Sequence, residues 1–476
     1  MGTLQWTTAG VLVCTGSNSS FDPSIVSDNA GGAIISWFDH RNGVDIYAQR
    51  IDASGNLQWT ANGLAICNIN VIETSNGPGP VMIGDGVGGA ILSWSDTRNG
   101  NADIYCQRIN SSGMIQWASQ GKPVCILTGN QTEVNMVADD AGGAIIAWKD
   151  DRNGNADIYA QRINPNGTQQ WSPDGSAICI WGGGDANVIM INDGANGAII
   201  AWLRNNGLYA QKINSSGELQ WTDPVAMCAN TGITVPAITS DGAGGAITAW
   251  MELRNSDYNI YAQRVLASGT VTWGTSGADA CVTPGSQGYP VVVENSLNGA
   301  FVSWNNGPPG GVNAQNINDD GTTGPPATAL IGCPTGNISI NSNVNGTTYK
   351  WQVNAGTGFS NIADNSNYSG TNSANLHLNN IPSSWYGYIY RCVVNGGTYS
   401  GSFKLRFSDT WIGSTGQNWE NPTNWNCGMT PDANTDVVIS SGTVVVNSNT
   451  TVRTLTLAPN VNLTVAPGVT LTVTHQ

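Results

Sequence analysis

Two hairpin sequences carry dense clusters of oxygen-bearing side chains. They read Asp-Thr-Arg-Asn-Gly-Asn-Ala-Asp and Asp-Asp-Arg-Asn-Gly-Asn-Ala-Asp. Carboxylate and amide oxygens at such short spacing are typical of a calcium loop. An arginine in the middle of each loop departs from that pattern, however, and the distant bidentate glutamate is missing. The pattern therefore favours a structural hairpin, with calcium binding as the alternative. The candidate calcium ligands are Asp96, Asp103, Asp150 and Asp157.

Residues that commonly catalyse reactions are sparse. The chain has three histidines, His40, His377 and His475, and none belongs to a recognisable nucleophile pattern. Five arginines read as one hairpin position repeated, so we expect local contacts and no convergence on one substrate. They are Arg41, Arg98, Arg152, Arg204 and Arg254. We therefore predict a protein that is not an enzyme, with a glycosidase as a less favoured alternative. The residues of a ligand-binding face would be Asp39, Arg41, Arg98 and Arg152.

These hairpins belong to a unit that occurs six times. The copies begin at Gly31, Gly88, Gly142, Asn196, Gly244 and Asn298, with gaps of 57, 54, 54, 48 and 54 residues. Each copy reads as four strands, a to d, with an Asn-Gly hairpin between strands b and c. A period of about 50 residues without a helical pattern is typical of a β-propeller with four-stranded blades. The tryptophans that recur on strands b and d are expected to pack between blades.

The two ends of the array complement each other. Residues 4–14 match strand d of a repeat but lack the three strands that precede it, and the sixth copy lacks strand d. We therefore predict that residues 4–13 pair beside strand c of the last copy, near 312–317. This arrangement would close a propeller of six blades and hide two sheet edges.

Composition excludes several classes of partner. The formal net charge is −15 with only 17 Lys and Arg residues, which argues against binding nucleic acid. No run of 18 apolar residues occurs, so we predict no membrane insertion. The acidic, lysine-poor surface suits an extracellular or cell-surface protein. We expect a mature or excised piece of a natural protein that continues beyond residue 476.

The cysteines fall into two groups. Six recur at one position of the repeat and are expected to be buried and reduced; they are Cys14, Cys67, Cys125, Cys179, Cys228 and Cys281. Farther along, Cys333 and Cys392 flank Trp351, and Tyr390 stands two residues before the second cysteine. This is the core signature of an immunoglobulin-like sandwich, which predicts a disulfide between Cys333 and Cys392. Cys427 has no evident partner.

The fold is therefore predicted to be all-β, with three domains. Residues 1–325 form the six-bladed propeller closed by the N-terminal strand, and residues 326–408 form the immunoglobulin-like domain. Residues 409–476 contain short β runs at a spacing near ten residues, which indicates a small β-solenoid or a compact β-sandwich.

Several sequence segments resemble those of a group of bacterial proteins. Tyr349-Lys-Trp-Gln-Val and Gly387-Tyr-Ile-Tyr-Arg-Cys resemble immunoglobulin-like modules of large secreted and surface proteins of Bacteroidota-type bacteria. The segment from Asp409 through Asn418-Trp-Glu-Asn-Pro-Thr-Asn-Trp is similar to what often follows those modules, and the repeats resemble propeller repeats of the same group. The resemblance implies export by type IX secretion.

We accordingly predict a non-catalytic structural or adhesive protein outside the cell that assembles through exposed β edges. A multivalent glycan-binding propeller is the alternative, because equivalent sites multiply weak affinities. The expected partners are other extracellular proteins, copies of the chain itself or surface glycans. No cofactor is expected apart from the calcium alternative.

Overall fold

The computed structural model shows a chain built from β-strands. It describes residues 6, 10–15, 20–69, 79–230, 232–254, 256–295, 297–307, 310–324, 327–355 and 359–474. The helices in these ranges are two single 3-10 turns, η1 (Ser383–Trp385) and η2 (Pro422–Asn424). None of the described helices has the length and apolar character needed to cross a membrane. The predicted all-β class is confirmed.

The first five repeats form five antiparallel sheets of four strands, each in sequence order a-b-c-d. The first contains β1 (Ser20–Ser27), β2 (Ala33–Asp39), β3 (Asp45–Ile51) and β4 (Leu64–Cys67). The second contains β5 (Val81–Gly84), β6 (Ala90–Asp96), β7 (Asp103–Ile109) and β8 (Lys122–Cys125). The third contains β9 (Gln131–Ala138), β10 (Ala144–Asp150), β11 (Asp157–Ile163) and β12 (Ser176–Cys179). The fourth contains β13 (Asp185–Asn192), β14 (Ala198–Arg204), β15 (Gly207–Ile213) and β16 (Val225–Cys228). The fifth contains β17 (Ile233–Ser240), β18 (Ala246–Arg254), β19 (Asp257–Val265) and β20 (Ala278–Cys281).

The a–b turn explains the glycine pair that opens the repeat. In the first sheet Asp28 Oδ1 accepts the backbone N–H of Gly32 at 2.7 Å, and Arg50 Nε donates to Asp28 Oδ2 at 2.9 Å. A Cβ atom on Gly32 would lie 2.1 Å from the carbonyl oxygen of Ile51, so no larger residue fits there. The turn therefore ties strand a to strand c through one carboxylate.

Tryptophans of strand d join each sheet to the next. Trp59 Nε1 donates to the carbonyl of Ser111 in the second sheet at 3.3 Å, and Trp117 Nε1 donates to that of Pro165 in the third at 3.1 Å. The first strands of these five sheets also neighbour one another in sequence order. Successive four-stranded sheets packed through their inner strands make a propeller-like fold. The predicted packing of the repeat tryptophans between sheets is confirmed.

The described part of the N-terminus behaves like a strand d. Trp6 Nε1 donates to the carbonyl of Ala53 in the first sheet at 3.1 Å, which matches the contact of Trp59 with the second sheet. Thr15 N–H donates to Asn62 Oδ1 at 2.8 Å. Residues 1–5 and 7–9 lie outside the described residues, so the pairing of residues 4–13 with the last repeat stays a prediction.

The sixth repeat forms a sheet of three strands, β21 (Gln287–Glu294), β22 (Ala300–Asn306) and β23 (Gly311–Ile317). By compactness the chain divides into two units. The first comprises residues 1–293 and 302–314, and the second comprises residues 294–301 and 315–476. The predicted boundaries after residues 325 and 408 stay predictions.

The second unit contains two sheets that share a core. The larger sheet has the strand order β27-β26-β30-β32-β33-β36, with β24 paired to β32 and β31 paired to β30. The smaller has the order β25-β29-β28. Trp351 and Cys392 lie opposite each other on β26 and β30, and both are buried. The strands are β24 (Thr328–Gly332), β25 (Ile338–Asn341), β26 (Tyr349–Asn354), β27 (Phe359–Asn361), β28 (Tyr368–Ser369), β29 (Asn375–Leu378), β30 (Ile389–Val394), β31 (Thr398–Tyr399) and β32 (Phe403–Thr410).

The last strands stack in parallel pairs. These pairs are β33 with β36, β34 with β37 and β35 with β38, so residues 435–452 are followed by a second turn of similar path over 454–473. Parallel stacking of consecutive short strands is typical of a β-solenoid. The strands are β33 (Thr435–Ile439), β34 (Thr443–Val446), β35 (Thr450–Val452), β36 (Thr454–Leu457), β37 (Asn462–Val465) and β38 (Leu471–Val473). Because β32 pairs with both β30 and β33, the predicted boundary after residue 408 falls inside a continuous sheet.

The disulfide differs from the predicted one. Cys333 is bonded to Cys427, with Cα atoms 5.5 Å apart, and Cys392 is a free, buried thiol. The prediction of a Cys333–Cys392 bond is therefore wrong. The parallel pairing of β24 with β32 places Gly332 opposite Phe407, so Cys333 reaches the end of β32 and not the core. Cys427 is held there because its N–H donates to Asp409 Oδ1 at 3.0 Å.

Candidate active site

The b–c hairpins of four repeats are held by one kind of ion pair. In the second repeat Arg98 Nη2 lies 2.5 Å from Asp96 Oδ2, and that oxygen also accepts Trp94 Nε1 at 2.9 Å. The guanidinium carbon lies 3.7 Å from the centre of the Tyr105 ring, and Nη2 is 3.5 Å from Cys67 Sγ of the preceding sheet. The equivalent pairs are Asp39 with Arg41, Asp150 with Arg152 and Glu252 with Arg254.

These pairs are internal to the fold. Asp39, Asp96 and Asp150 are fully buried. Burial raises the pKa of Asp39, but hydrogen bonds from Arg41 and Trp37 outweigh that effect and hold the pKa at about 2. Each arginine of the predicted ligand face therefore forms an ion pair with an acid of its own sheet. A ligand face made of Asp39, Arg41, Arg98 and Arg152 stays a prediction.

The remaining calcium candidates face hydrogen-bond donors. Asp103 accepts the side-chain amides of Asn99 and Asn101 at 2.7 and 2.8 Å. Asp157 accepts the corresponding amides of the third repeat, from Asn153 and Asn155, at 2.8 and 2.7 Å. No group of three or more His, Cys, Asp or Glu side chains that could hold a metal occurs among the described residues. The local geometry supports a hydrogen-bonded hairpin.

The six thiols of the repeats are free, and all are buried except the half-buried Cys14. Burial raises the pKa of Cys67 to about 12 and that of Cys179 to about 11. Such thiols stay protonated at neutral pH and are poor nucleophiles. The prediction of reduced thiols at this position is confirmed.

The fourth repeat breaks the pattern. Arg204 stands two residues after Trp202, at the position that holds the acid in the first, second, third and fifth repeats. The b–c hairpin is shorter here, because β14 ends at Arg204 and β15 begins at Gly207. The assignment of Arg204 to the repeated arginine position is therefore wrong. The acid comes from strand a instead: Asp185, the first residue of β13, lies opposite Arg204, with 3.6 Å between Oδ1 and Nη1.

Asp185 is a buried carboxyl group with few polar partners. The residue is 1% exposed, and neither carboxylate oxygen has a hydrogen-bond partner among the described residues. Trp202 Nε1, whose counterparts bind the hairpin acid, is likewise unsatisfied within that set. Burial raises the pKa of Asp185 to about 6, against the lowering effects of the Arg204 charge and of the nearby Cys179 thiol; the charge of Asp157 acts in the same direction as burial. A carboxylic acid with such a pKa is suited to proton transfer near neutral pH.

An exposed aromatic side chain lies beside Arg204, the ion-pair partner of this acid. Trp181 is 49% exposed, and the guanidinium carbon of Arg204 lies 5.4 Å from the centre of its ring. Three glycines separate Trp181 from Asp185, and Arg204 Nη2 donates to the carbonyl of Gly182. Arg204 thus contacts both the buried acid and the exposed Trp181 ring. The three glycines between these two residues allow that segment of backbone to change conformation at low cost.

The inner strands carry a bulge at their third residue. This residue has a positive φ, between 49 and 55°, in five of the six described first strands; the exception is β5, which begins only at Val81. These residues, hereafter the inner row, are Asp22, Glu133, Asn187, Val235 and Tyr289. Positive φ is rare outside glycine, and for a β-branched residue such as Val235 it is strained. Bulges of this kind re-aim side chains and concentrate next to active sites.

The inner row differs in chemistry from repeat to repeat, unlike the hairpin ion pairs. It also brings the third and fourth repeats together, because Glu133 Oε2 accepts the backbone N–H of Asn187. Lys149 Nζ lies 3.9 Å from Glu133 Oε1. Two carboxyl groups therefore lie near one end of neighbouring inner strands. Glu133 has a hydrogen-bond donor and a cation nearby, whereas Asp185 is buried and its carboxylate oxygens have no hydrogen-bond partner among the described residues.

Sequence reasoning missed this site. The apolar residues that mark strand a in the sequence, such as Val134 and Pro236, come after the bulge position, because the strands begin at Gln131 and Ile233. It also treated the six repeats as equivalent. The available signal was the two-residue spacing from Trp202 to Arg204, which leaves the fourth hairpin without its acid.

Comparisons with known proteins give one family match and several similar solved structures. A family model described as a domain of unknown function, DUF8693, matches residues 410–476. No curated protein matches the sequence. Similar solved structures include a Dyadobacter fermentans protein of unknown function (11% identity, 64% of this chain and 95% of that chain, TM-score 0.36). An endo-arabinase of Bacteroides thetaiotaomicron also matches (14%, 64% and 96%, 0.31), as does an ulvan lyase of polysaccharide lyase family PL25 (12%, 65% and 84%, 0.44).

These comparisons correct the functional prediction. The similar structures are mostly glycosidases and include a polysaccharide lyase, so the prediction of a non-catalytic structural or adhesive protein is wrong and is not carried further. At 9 to 14% identity the likeness concerns the fold. The activity of this chain therefore has to be argued from its own residues.

Proposed function

We propose that the protein is an enzyme that cleaves glycosidic bonds of a polysaccharide, with Asp185 as the proton donor. The observation that carries the proposal is the environment of that carboxyl group: it is buried, its oxygens have no hydrogen-bond partner among the described residues, and burial raises its pKa to about 6. Glycoside hydrolysis uses an acid that is protonated near neutral pH together with a second carboxylate. Glu133, with its donor and cation, is suited to the second role.

The remaining groups of the site fit a sugar substrate. An exposed indole ring presents a flat apolar face with a polar N–H at its edge, which suits an amphipathic sugar ring. Trp181 is such a ring. Access to Asp185 requires the segment from Trp181 to Gly184 to move away from Arg204. Loop movements of this type gate many active sites.

Replacement of Trp181 tests substrate binding. We expect Trp181→Ala to raise KM about 10-fold with a smaller effect on kcat, because stacking on one aromatic contributes on the order of 1 kcal/mol. Reducing ends released from arabinan, β-1,3-galactan and ulvan measure the activity. Trp6→Ala, which removes another partly exposed tryptophan of the first unit, serves as the control and should leave KM unchanged. Failure to release products from any polysaccharide in a broad panel would contradict the proposed function.

We also propose that the six repeats close into a six-bladed ring through residues 4–13 and that the protein works outside the cell. The contacts of Trp6 and Thr15 with the first sheet, which repeat those between later sheets, support closure. The disulfide supports an oxidising compartment. The partners would then be extracellular glycans.

Deletion of residues 1–15 tests closure. We expect the shortened chain to aggregate, because β23 and the first sheet would lose a partner and expose strand edges. Size-exclusion chromatography with light scattering measures this. A monomeric deletion variant with unchanged thermal stability would contradict the closed ring.

A further inference from the structure

An open cleft lies beside the fifth b–c hairpin, in the first unit. It has a volume of about 460 Å³. Its lining consists of Arg254, Asp257, Asn259, Tyr261, Asp279, Val282 and Pro284. None of these residues belongs to the fourth repeat or to the inner row, so the cleft is separate in sequence from the proposed active site.

Two carboxyl groups of the cleft are particular to this repeat. Asp279 lies opposite Tyr261 in the strand register, where the other described repeats have an alanine or a proline. Those residues are Ala65, Pro123, Ala177 and Ala226. Asp257 belongs to a hairpin in which the paired strands extend to Arg254, two residues farther than in the first three repeats. The fifth repeat therefore adds two acids to a scaffold that otherwise repeats.

The charges in the cleft do not cancel. Arg254 is engaged by Glu252, with Nε and Nη2 each 2.6 Å from a carboxylate oxygen, and it donates to the carbonyl of Ser276 at 2.8 Å. Asp257 and Asp279 form no ion pair with any described residue. The cleft thus presents two negative charges that no cation of the described chain balances.

Polar and apolar groups complete the lining. Tyr261 and Asn259 are polar side chains that are 3% and 6% exposed, whereas Val282 is 51% exposed. Asn259 donates to the carbonyl of Asp257 at 3.2 Å, and the guanidinium of Arg254 covers the Tyr261 ring, so these two side chains shape the cleft. The two carboxylates suit a small organic cation, and the valine and proline offer apolar contact for the carbon atoms that carry it. A calcium ion needs about six to eight oxygen ligands, which two carboxylates do not approach.

We propose that this cleft binds a primary ammonium group carried on a carbon stem. Amino sugars and lysine side chains both supply this chemistry. The proposal is independent of catalysis at Asp185 and adds a second binding site to the first unit.

Isothermal titration calorimetry of the full chain tests the site with matched ligands. A glucosamine tetramer is compared with the N-acetylglucosamine tetramer, and lysine amide is compared with its Nε-acetylated form. We expect the charged member of at least one pair to bind and its acetylated counterpart to bind about 10-fold more weakly or not at all, because acetylation removes the charge. Binding in one pair alone identifies the source of the ammonium group.

Variants locate the binding. Asp279→Ala introduces the residue that three other repeats carry at this position, so the fold should tolerate it, and we expect it to weaken binding about 10-fold. Asp185→Asn should leave binding unchanged, which separates this site from the proposed catalytic one. The proposal is overturned if neither charged ligand binds, if acetylated ligands bind equally well, or if Asp279→Ala binds as tightly as the unsubstituted protein.

Discussion

Replacing Asp185 with asparagine should lower the rate of polysaccharide cleavage by a factor of roughly 10² to 10⁴, the usual contribution of a positioned general acid. Asparagine keeps the size of the side chain but cannot donate a proton to a leaving oxygen with comparable ease. The loss should appear in kcat and not in KM, because proton donation matters in the transition state. Release of reducing ends measures both constants.

The pH profile gives an independent readout. Asp185 must be protonated to act as an acid, and burial raises its pKa to about 6. Activity should therefore fall about 10-fold per pH unit above that value. The descending limb should disappear from whatever activity the Asp185→Asn variant keeps. A general base at this position would give the opposite slope and would contradict the assigned role.

Stability separates this effect from unfolding. The folded-state pKa of about 6 lies above the ordinary aspartate pKa of 3.8, so the folded chain binds this proton more tightly than the unfolded chain does. Ionisation of this carboxyl group in the folded chain therefore costs free energy. The free energy of unfolding falls as the pH rises from about 3.8 to above about 6, and this fall is complete at pH 8. Asp185→Asn removes that effect and should melt at the same or a higher temperature at pH 8. Asp140→Asn, at an exposed acid of the third repeat, serves as the matched control and should keep full activity.

Breaking the disulfide should produce the largest loss of stability. Cys333 and Cys427 are separated by 94 residues. Closing a loop of that size lowers the conformational entropy of the unfolded chain, which stabilises the folded state by about 4 kcal/mol. Cys427→Ser should therefore lower the melting temperature of the second unit by about 10 °C. Differential scanning calorimetry under oxidising conditions measures this shift.

Cys392→Ala provides the control. Its thiol is buried but unbonded, so removing one sulfur atom should cost about 1 kcal/mol by loss of packing. Peptide mapping after alkylation without reduction should recover Cys333 linked to Cys427 and should find Cys392 as a free thiol. A peptide that links Cys333 to Cys392 would contradict the structure.

Much of the fold follows from the sequence because its signals are local. The alternation of apolar residues, the Asn-Gly hairpins and the glycine pair before strand b predict the strand order of the five complete sheets. Gly32 shows why: its backbone approaches Ile51 too closely for any side chain, so this glycine marks the a–b turn wherever it occurs. The d-strand tryptophans likewise repeat because each meets an equivalent carbonyl in the next sheet.

Such local signals do not determine which cysteines form a disulfide. The spacing of Cys333, Trp351 and Cys392 indicated one partner, but partners depend on which strands become neighbours. The parallel pairing of β24 with β32 spans about 70 residues and has no signature in either strand. It brings Cys333 to the end of β32, close to Cys427. The pairing of β32 with β33 and this disulfide then join two regions that the sequence divides at residue 408.

The sequence by itself determined the repeating hydrogen-bonded frame of this protein, because each element of that frame depends on residues close together in the chain. Tertiary structure decided where the frame is interrupted. Asp185 and Arg204 are 19 residues apart, and they meet because β13 and β14 pair in a register set by the a–b turn and the bulge at Asn187. Burial of Asp185 then depends on the neighbouring sheets, and so does its raised pKa. The repeated hairpins and turns depend on residues close together in the sequence, whereas the environment of a single carboxyl group depends on how the sheets pack.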